Sequence, residues 1–261
     1  MNVRHIHFAR SAAKTDAERD GRLIFGCVYV ALFMLAILIP AKVWGQERAD
    51  ACMAVGLDVS GSIHNEELRL QYDGLAAALI DQRFIRAVET GRHGLIAVAV
   101  YTWADSHDSV QIIVPWIGVQ SGKDAQAIAE TLQSLEVKHV VRSTSLMVAL
   151  QAGTQILQGC PWFADRQLLN IAGDGYTNIG PSPLPARNAA IDRGIVINGL
   201  VVGEDPSTIE HYHNEVVGPT NVGFFVTVAD YQAFARAMLN KFLLEISWNW
   251  TDWTELARQI R

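Results

Sequence analysis

Apolar and polar positions along this chain fall into blocks that predict strands and helices in turn. Cys52 to Ser60 is a nearly continuous apolar run interrupted only at Asp58, which has the length and composition of a buried strand. Asn65 to Glu89 follows with Leu68, Tyr72, Leu75, Leu79, Ile80, Phe84 and Val88 at helical spacing. Asn65 is placed to cap that helix, and Glu66 and Glu67 fall in its first turn, where the helix dipole favours anions. Leu95 to Trp103 and Val110 to Trp116 are strand-like and separated by a few polar residues. A parallel crossover needs about a dozen residues or more, so these two strands form an antiparallel hairpin.

Beyond the hairpin, Asp124 to Leu135 predicts a short helix and Val137 to Ser143 a connector carrying Lys138, His139 and Arg142. Leu146 to Leu157 predicts a helix, Gln167 to Ala172 a strand, and Pro181 to Ala190 a proline-initiated helix closed by Gly194. Ile195 to Val202 is a continuous apolar strand of the kind buried on both faces. Ser207 to Val217 reads as helix, with His211-Tyr212-His213 on its solvated surface, Phe224 to Val228 as strand, and Asp230 to about Ser247 as the last helix. This alternation predicts an α/β fold. It is a Rossmann-like three-layer sandwich with a mostly parallel sheet, one antiparallel edge strand and helices on both faces.

The N-terminal residues stand apart. Leu23 to Ile39 carries no charge and is mostly apolar; Arg4, Arg10, Lys14, Arg19 and Arg22 precede it, and Pro40 and Val43-Trp44-Gly45 follow. Residues 1–45 therefore read either as a secretory signal cleaved after Gly45 or as an uncleaved membrane anchor. Both readings export the domain at residues 50–247, to the periplasm or the envelope, because the cationic flank stays inside. Removing residues 1–45 takes away six basic and three acidic residues and moves the formal charge from −6 to −9. An acidic domain lacks the basic face that phosphate binding requires, which argues against nucleic acid as a partner. Cys27 belongs to the leader. Cys52 and Cys160 then form an even pair in an oxidising compartment, read as a disulfide or as two buried thiols. Residues 248–261, with Trp248, Trp250 and Trp253, form a C-terminal tail.

The chemistry sits at strand ends. Asp58-Val59-Ser60-Gly61-Ser62 closes the first strand, Thr144 opens a helical pattern, and Asp174 follows the strand Gln167 to Ala172. These five side chains offer only oxygen. Two carboxylates and three neutral hydroxyls suit a hard divalent cation, Mg2+ or Mn2+, whereas zinc is better served by imidazole or thiolate. Each residue alone also fits a turn or a cap. Ser60 with nearby His64 suggests a hydrolase nucleophile and base, but no Gly-x-Ser-x-Gly elbow, dinucleotide fingerprint or phosphate-loop lysine accompanies them.

Asp58, Ser60 and Ser62 at alternate positions, with Thr144 and Asp174, resemble the metal-ion-dependent adhesion site of von Willebrand factor type A domains. Gly173-Asp174-Gly175 with Asn178, Ile197-Asn198-Gly199-Leu200 and Phe242 to Ser247 extend the resemblance to a bacterial family of exported type A domains catalogued as a domain of unknown function. The resemblance implies that Ser60 and Ser62 bind the ion directly, Thr144 directly or through water, and Asp58 and Asp174 largely through water. It implies a protein partner whose acidic residue completes the coordination shell; no enzymatic activity is expected, because the sequence offers no activated nucleophile. The sequence departs from the type A pattern where Arg142-Ser143 replaces the usual glycine before Thr144. Arg142 is thus a candidate contact for an acidic ligand or a source of repulsion for the ion, and Asn178 is a second candidate contact.

Overall fold

The computed structural model describes residues 47–138, 142–218 and 223–247. The predicted leader at residues 1–45, His139 and the tail from Trp248 lie outside these. Two residues, Arg48–Ala49 (β1), precede the central strand Ala51–Asp58 (β2). Then come helices Asn65–Ile80 (α1) and Gln82–Glu89 (α2), strands Ile96–Trp103 (β3) and Gln111–Val119 (β4), and helices Gly122–Ser134 (α3) and Leu146–Gln158 (α4). Phe163–Ala164 (β5), Gln167–Gly173 (β6), Leu184–Ile191 (α5), Ile195–Val202 (β7), Pro206–His211 (α6), Phe225–Val228 (β8) and Phe234–Ile246 (α7) follow.

Six strands form one sheet in the order β4-β3-β2-β6-β7-β8. Among the described residues, only the β3–β4 pair of this sheet is antiparallel. This is the mostly parallel α/β sandwich that the sequence predicts. Every residue of β2 and β3 is buried, as a strand covered on both faces must be. On one face, Met53, Val55 and Leu57 pack with Leu75 and Leu79 of α1, Ile128 and Leu132 of α3, and Met238 and Phe242 of α7. On the other, Cys52, Ala54, Tyr101, Leu169 and Ile171 pack with Leu146 and Leu150 of α4. Burying side chains of this size contributes about 1.5–3 kcal/mol each.

Tyr101 shows why glycine stands at Gly56 of β2 and Gly153 of α4. A Cβ on Gly56 would lie 2.6 Å from its ring, and one on Gly153 would lie 2.5 Å from its hydroxyl. The ring fills the space both leave, and its hydroxyl donates to the Ala149 carbonyl at 2.7 Å.

Three expectations about the helices are corrected. The single helix from Asn65 to Glu89 is two, because Asp81 is extended (ψ 134°) and its carboxylate accepts from the Arg83 backbone N–H at 2.8 Å, starting α2 afresh. The cap of α1 is His64 rather than Asn65, with the Glu67 carboxylate accepting from the His64 backbone N–H at 2.8 Å. The helix expected over Ser207 to Val217 is α-helical only to His211 and widens to a π-helix over Tyr212–Val217. The parallel pairing of β1 with β5 has no two-residue signature in the sequence and went unread.

Between α7 and the sheet lies a buried polar group. Lys241 and Glu245, one helical turn apart, are paired in the interior. Asn170 of β6 and Asn198 of β7 both donate to the Glu245 carboxylate, at 3.2 and 2.9 Å. Burial pulls the Lys241 amine below its usual range against the pull of Glu245. Such a group specifies which turn of α7 faces which strands, since a slipped helix would leave a charge unpaired. On the outer edge, β4 carries Pro115 within its span, with an irregular register opposite Val98 to Tyr101. Among the described residues, no helix is long and apolar enough to cross a membrane.

Cys52, near the start of β2, and Cys160, ahead of β5, are joined in a disulfide with Cα atoms 6.5 Å apart. It lies at the end of β2 opposite Asp58.

Candidate metal centre

Three loops meet at the C-terminal ends of β2 and β6, where successive connections from the sheet turn in opposite directions and open α/β sheets collect ligands. The first leaves β2 at Asp58 and folds back on it: the Ser60 backbone N–H donates to Asp58 Oδ1 at 2.7 Å, and the Ile63 N–H to the Ser60 carbonyl at 3.1 Å. Gly61 N–H then reaches the Arg142 carbonyl at 2.8 Å, tying this loop to the one before α4. The third loop follows β6. Asn178 donates its backbone N–H to the Thr144 carbonyl at 3.0 Å and accepts the Thr144 N–H on its side-chain oxygen at 2.8 Å. Thr177 Oγ1 accepts from the first N–H of α4, on Leu146, at 3.3 Å.

This stitching brings the expected oxygens together. Ser62 Oγ donates to Asp174 Oδ1 at 2.7 Å and lies 3.3 Å from Ser60 Oγ. A Cβ on Gly175, the residue after Asp174, would lie 3.8 Å from Thr144 Oγ1. Asp58, Ser60 and Thr144 are buried, while Ser62 is exposed and gives the cluster its open side. Arg142 is engaged by Asp105, with Nη1 to Oδ1 at 3.1 Å, so its charge is partly met within the chain. Asn178 spends its carbonyl oxygen on the Thr144 backbone.

The residues fit a divalent cation on an observation of their own. Asp58 Oδ2 is buried and accepts no hydrogen bond, an arrangement that is costly for a carboxylate unless a positive charge stands nearby. Burial pushes the Asp58 carboxyl up to about 8, opposed by the Ser60 N–H and reinforced by the charge of Asp174. Asp174 is raised too, chiefly by burial. Among the described residues, no three His, Cys, Asp or Glu side chains cluster to hold a metal; this donor set is two carboxylates with hydroxyls, which excludes a site built on imidazole or thiolate.

A stability test follows. Because the folded carboxyl of Asp58 holds its proton to higher pH than the unfolded one, the ion-free fold binds more protons than the unfolded chain between about pH 4 and 8, and its stability falls as pH rises through that window. Thermal unfolding in chelator will therefore give a melting temperature that drops from pH 5 to pH 8, more steeply than in Asp58→Asn, and saturating Mg2+ will restore it at pH 8. Parallel pH profiles for the two proteins would refute the assignment of Asp58.

The sequence reading missed the floor of this site. Tyr212, expected on a solvated surface between His211 and His213, is fully buried. The wide turn of the π-helix carries it inward, while His213 stays exposed. His211 is mostly buried and its ring reaches Thr177 Oγ1 at 3.3 Å. The signal was present: Ile209, Tyr212 and Val216 make an apolar stripe at helical spacing. Tyr231 is also buried, but it packs with Phe234 on the other face of the sheet and is not part of this floor.

A family model described as "Protein of unknown function (DUF1194)" matches residues 48–250. The chain belongs to the DUF1194 family. No curated protein matches it. Among solved structures, this DUF1194 domain is similar to proximal thread matrix protein 1 from the mussel byssus with a zinc-occupied MIDAS motif (15% identity, TM-score 0.54, covering 76% of this chain and 48% of that one). It is also similar to a von Willebrand factor type A protein from Catenulispora acidiphila (14%, 0.54, covering 76% and 43%). A third is the vWF domain of the type V pili tip protein Mfa5 from Porphyromonas gingivalis (8%, 0.52, covering 82% and 97%). The DUF1194 chain thus spans about half the length of the mussel protein. At these identities the likeness is one of fold: the DUF1194 domain has the von Willebrand factor type A architecture.

Proposed function

We propose that this domain is a divalent-cation-dependent protein-binding module, exported to the cell envelope, in which Asp58, Ser60, Ser62, Thr144 and Asp174 hold Mg2+ or Mn2+. The buried Asp58 Oδ2, without a hydrogen-bond partner beside a cluster of hydroxyls, carries this reading. Two carboxylates balance the ion's charge, and the neutral hydroxyls leave it electrophilic enough to accept an outside oxygen. That oxygen comes from an acidic residue of a protein partner. The pili tip and byssal thread proteins of the same fold support the choice of a protein over a small molecule.

The rim supports it as well. Of the large apolar side chains exposed among the described residues, Tyr176 (52%) and Ile179 (47%) flank Asn178 on the loop that begins at Asp174. They give the partner an apolar contact beside the ion. Export agrees with the Cys52–Cys160 bond, which belongs in an oxidising compartment. No catalytic role is assigned: Ser60 is fully buried with its hydroxyl toward Ser62, and the His64 ring lies 3.4 Å from Glu67 on the exposed start of α1. A scaffold role with a purely structural ion is the second reading, favoured by the same buried carboxylate, since an ion that relieves Asp58 also stabilises the fold.

Cross-linking in the native envelope, with and without chelator, separates the two. Capture will require Mg2+ and tolerate moderate salt, because the ion's local field rather than the acidic domain's long-range field attracts the partner. Thr144→Ala will weaken it with the fold intact. Replacing Tyr176 and Ile179 together by serine will lower capture about tenfold, the scale of an interface anchor, without changing Mn2+ affinity. Equal capture in excess chelator would replace this reading with the scaffold.

A further inference from the structure

We infer that Tyr212 is the positioning residue for Asp58, its phenolic hydroxyl securing Oδ2 when the carboxylate is ionised against a bound cation. The inference rests on the metal-site reading and deepens it.

The two carboxylate oxygens of Asp58 are treated differently by the fold. Oδ1 accepts from the Ser60 N–H at 2.7 Å, and Oδ2 accepts from nothing. The Tyr212 hydroxyl is also buried without a hydrogen-bond partner. Both orphans face one small space, since a Cβ on Gly173 would lie 2.9 Å from Asp58 Oδ2 and 2.9 Å from the Tyr212 oxygen. Glycine at the end of β6 keeps that space open. An unmet buried acceptor beside an unmet buried donor is a complementary pair, and each is expensive to leave alone. Burial first, and then the charges of Asp58 and Asp174, hold the Tyr212 hydroxyl well above the usual phenol range, which keeps its proton available to donate. A small side-chain rotation or one bridging water joins them. One lone pair of Oδ2 is then held from behind while the other stays open to the ion, and the carboxylate plane is fixed toward the hydroxyls of Ser60 and Ser62. Groups that orient a ligand in this way typically change metal affinity by about 10- to 100-fold when removed.

Tyr231 is the internal comparison. Its hydroxyl is likewise buried and unpartnered, but its ring packs on the opposite face of the sheet with Phe234. Tyr212→Phe and Tyr231→Phe each keep the ring, and circular dichroism confirms the fold. Calorimetric titration with Mn2+ will show about tenfold or greater weakening in Tyr212→Phe and little change in Tyr231→Phe. Addition of Mg2+ to the wild type will give a tyrosine ultraviolet difference spectrum that disappears in Tyr212→Phe and persists in Tyr231→Phe, which a mere packing role would not produce. The Mn2+ spin-resonance line shape will broaden in Tyr212→Phe as the ligand field loses its order. Gly173→Ala, which wedges a methyl between the two groups and keeps both, will weaken binding in the same way and serves if Tyr212→Phe fails to fold. Mn2+ affinity within twofold of wild type in folded Tyr212→Phe, with the difference spectrum retained, overturns the inference alone. A wild-type protein that binds no Mn2+ overturns the site reading and this inference with it.

Discussion

Asp58→Asn will abolish Mg2+ and Mn2+ binding and at the same time raise the thermal stability of the ion-free protein above pH 7. Both effects come from one charge. The carboxylate is fully buried and resists ionisation until about pH 8, so at alkaline pH the ion-free fold carries a charge that its surroundings oppose. Asparagine keeps the shape and the acceptor for the Ser60 N–H, which lies 2.7 Å from Oδ1, and removes the charge. Two unit charges about 4 Å apart interact by about 4 kcal/mol at an effective dielectric of 20, and a divalent ion doubles this. At about 1.4 kcal/mol per factor of ten, a loss beyond a thousandfold is expected even after part of that attraction is offset by desolvation. Asp174→Asn will act in the same direction with a smaller gain in ion-free stability, because Asp174 is only half-buried. Titration calorimetry and thermal unfolding in chelator check the two halves together. Undiminished affinity in both folded variants would remove these aspartates from any cation site.

Cys160→Ser will lower the unfolding free energy by roughly 3 kcal/mol, within the typical 2–4 kcal/mol for a disulfide. The bond spans 108 residues of sequence, so its removal frees a long loop in the unfolded chain. For a domain of this size that corresponds to about 6–12 °C in melting temperature. Metal affinity will be unchanged, since the bond lies at the opposite end of β2. Peptide mapping without reduction will show Cys52 and Cys160 linked; two free thiols in folded protein would contradict the pairing.

The strands and most helices were legible because each alternates apolar and polar residues at its own period, and β2 or β7 is too uniformly apolar to be anything but a covered strand. Asp58, Ser60, Ser62 and Asp174 were legible as a group because strand ends are where short polar residues follow apolar runs. What escaped notice depends on a single backbone angle or a single extra residue per turn. Asp81 looks like any polar helix position until its ψ of 134° divides the helix. Tyr212 sits between two histidines, whose polarity masks the apolar stripe it shares with Ile209 and Val216. Gly173 reads as the glycine of a turn. In the structure it is the gap between Asp58 and Tyr212.

The edges of the sheet carry a consequence for crowded copies of this domain. An exposed strand is a template on which another chain can add its own backbone. Here β4 is interrupted by Pro115, which has no N–H to offer, and by an irregular register. At the far side β8 is only four residues long. Many copies can therefore stand side by side without their sheets fusing into fibrils, even with Ile112 exposed on the outer strand.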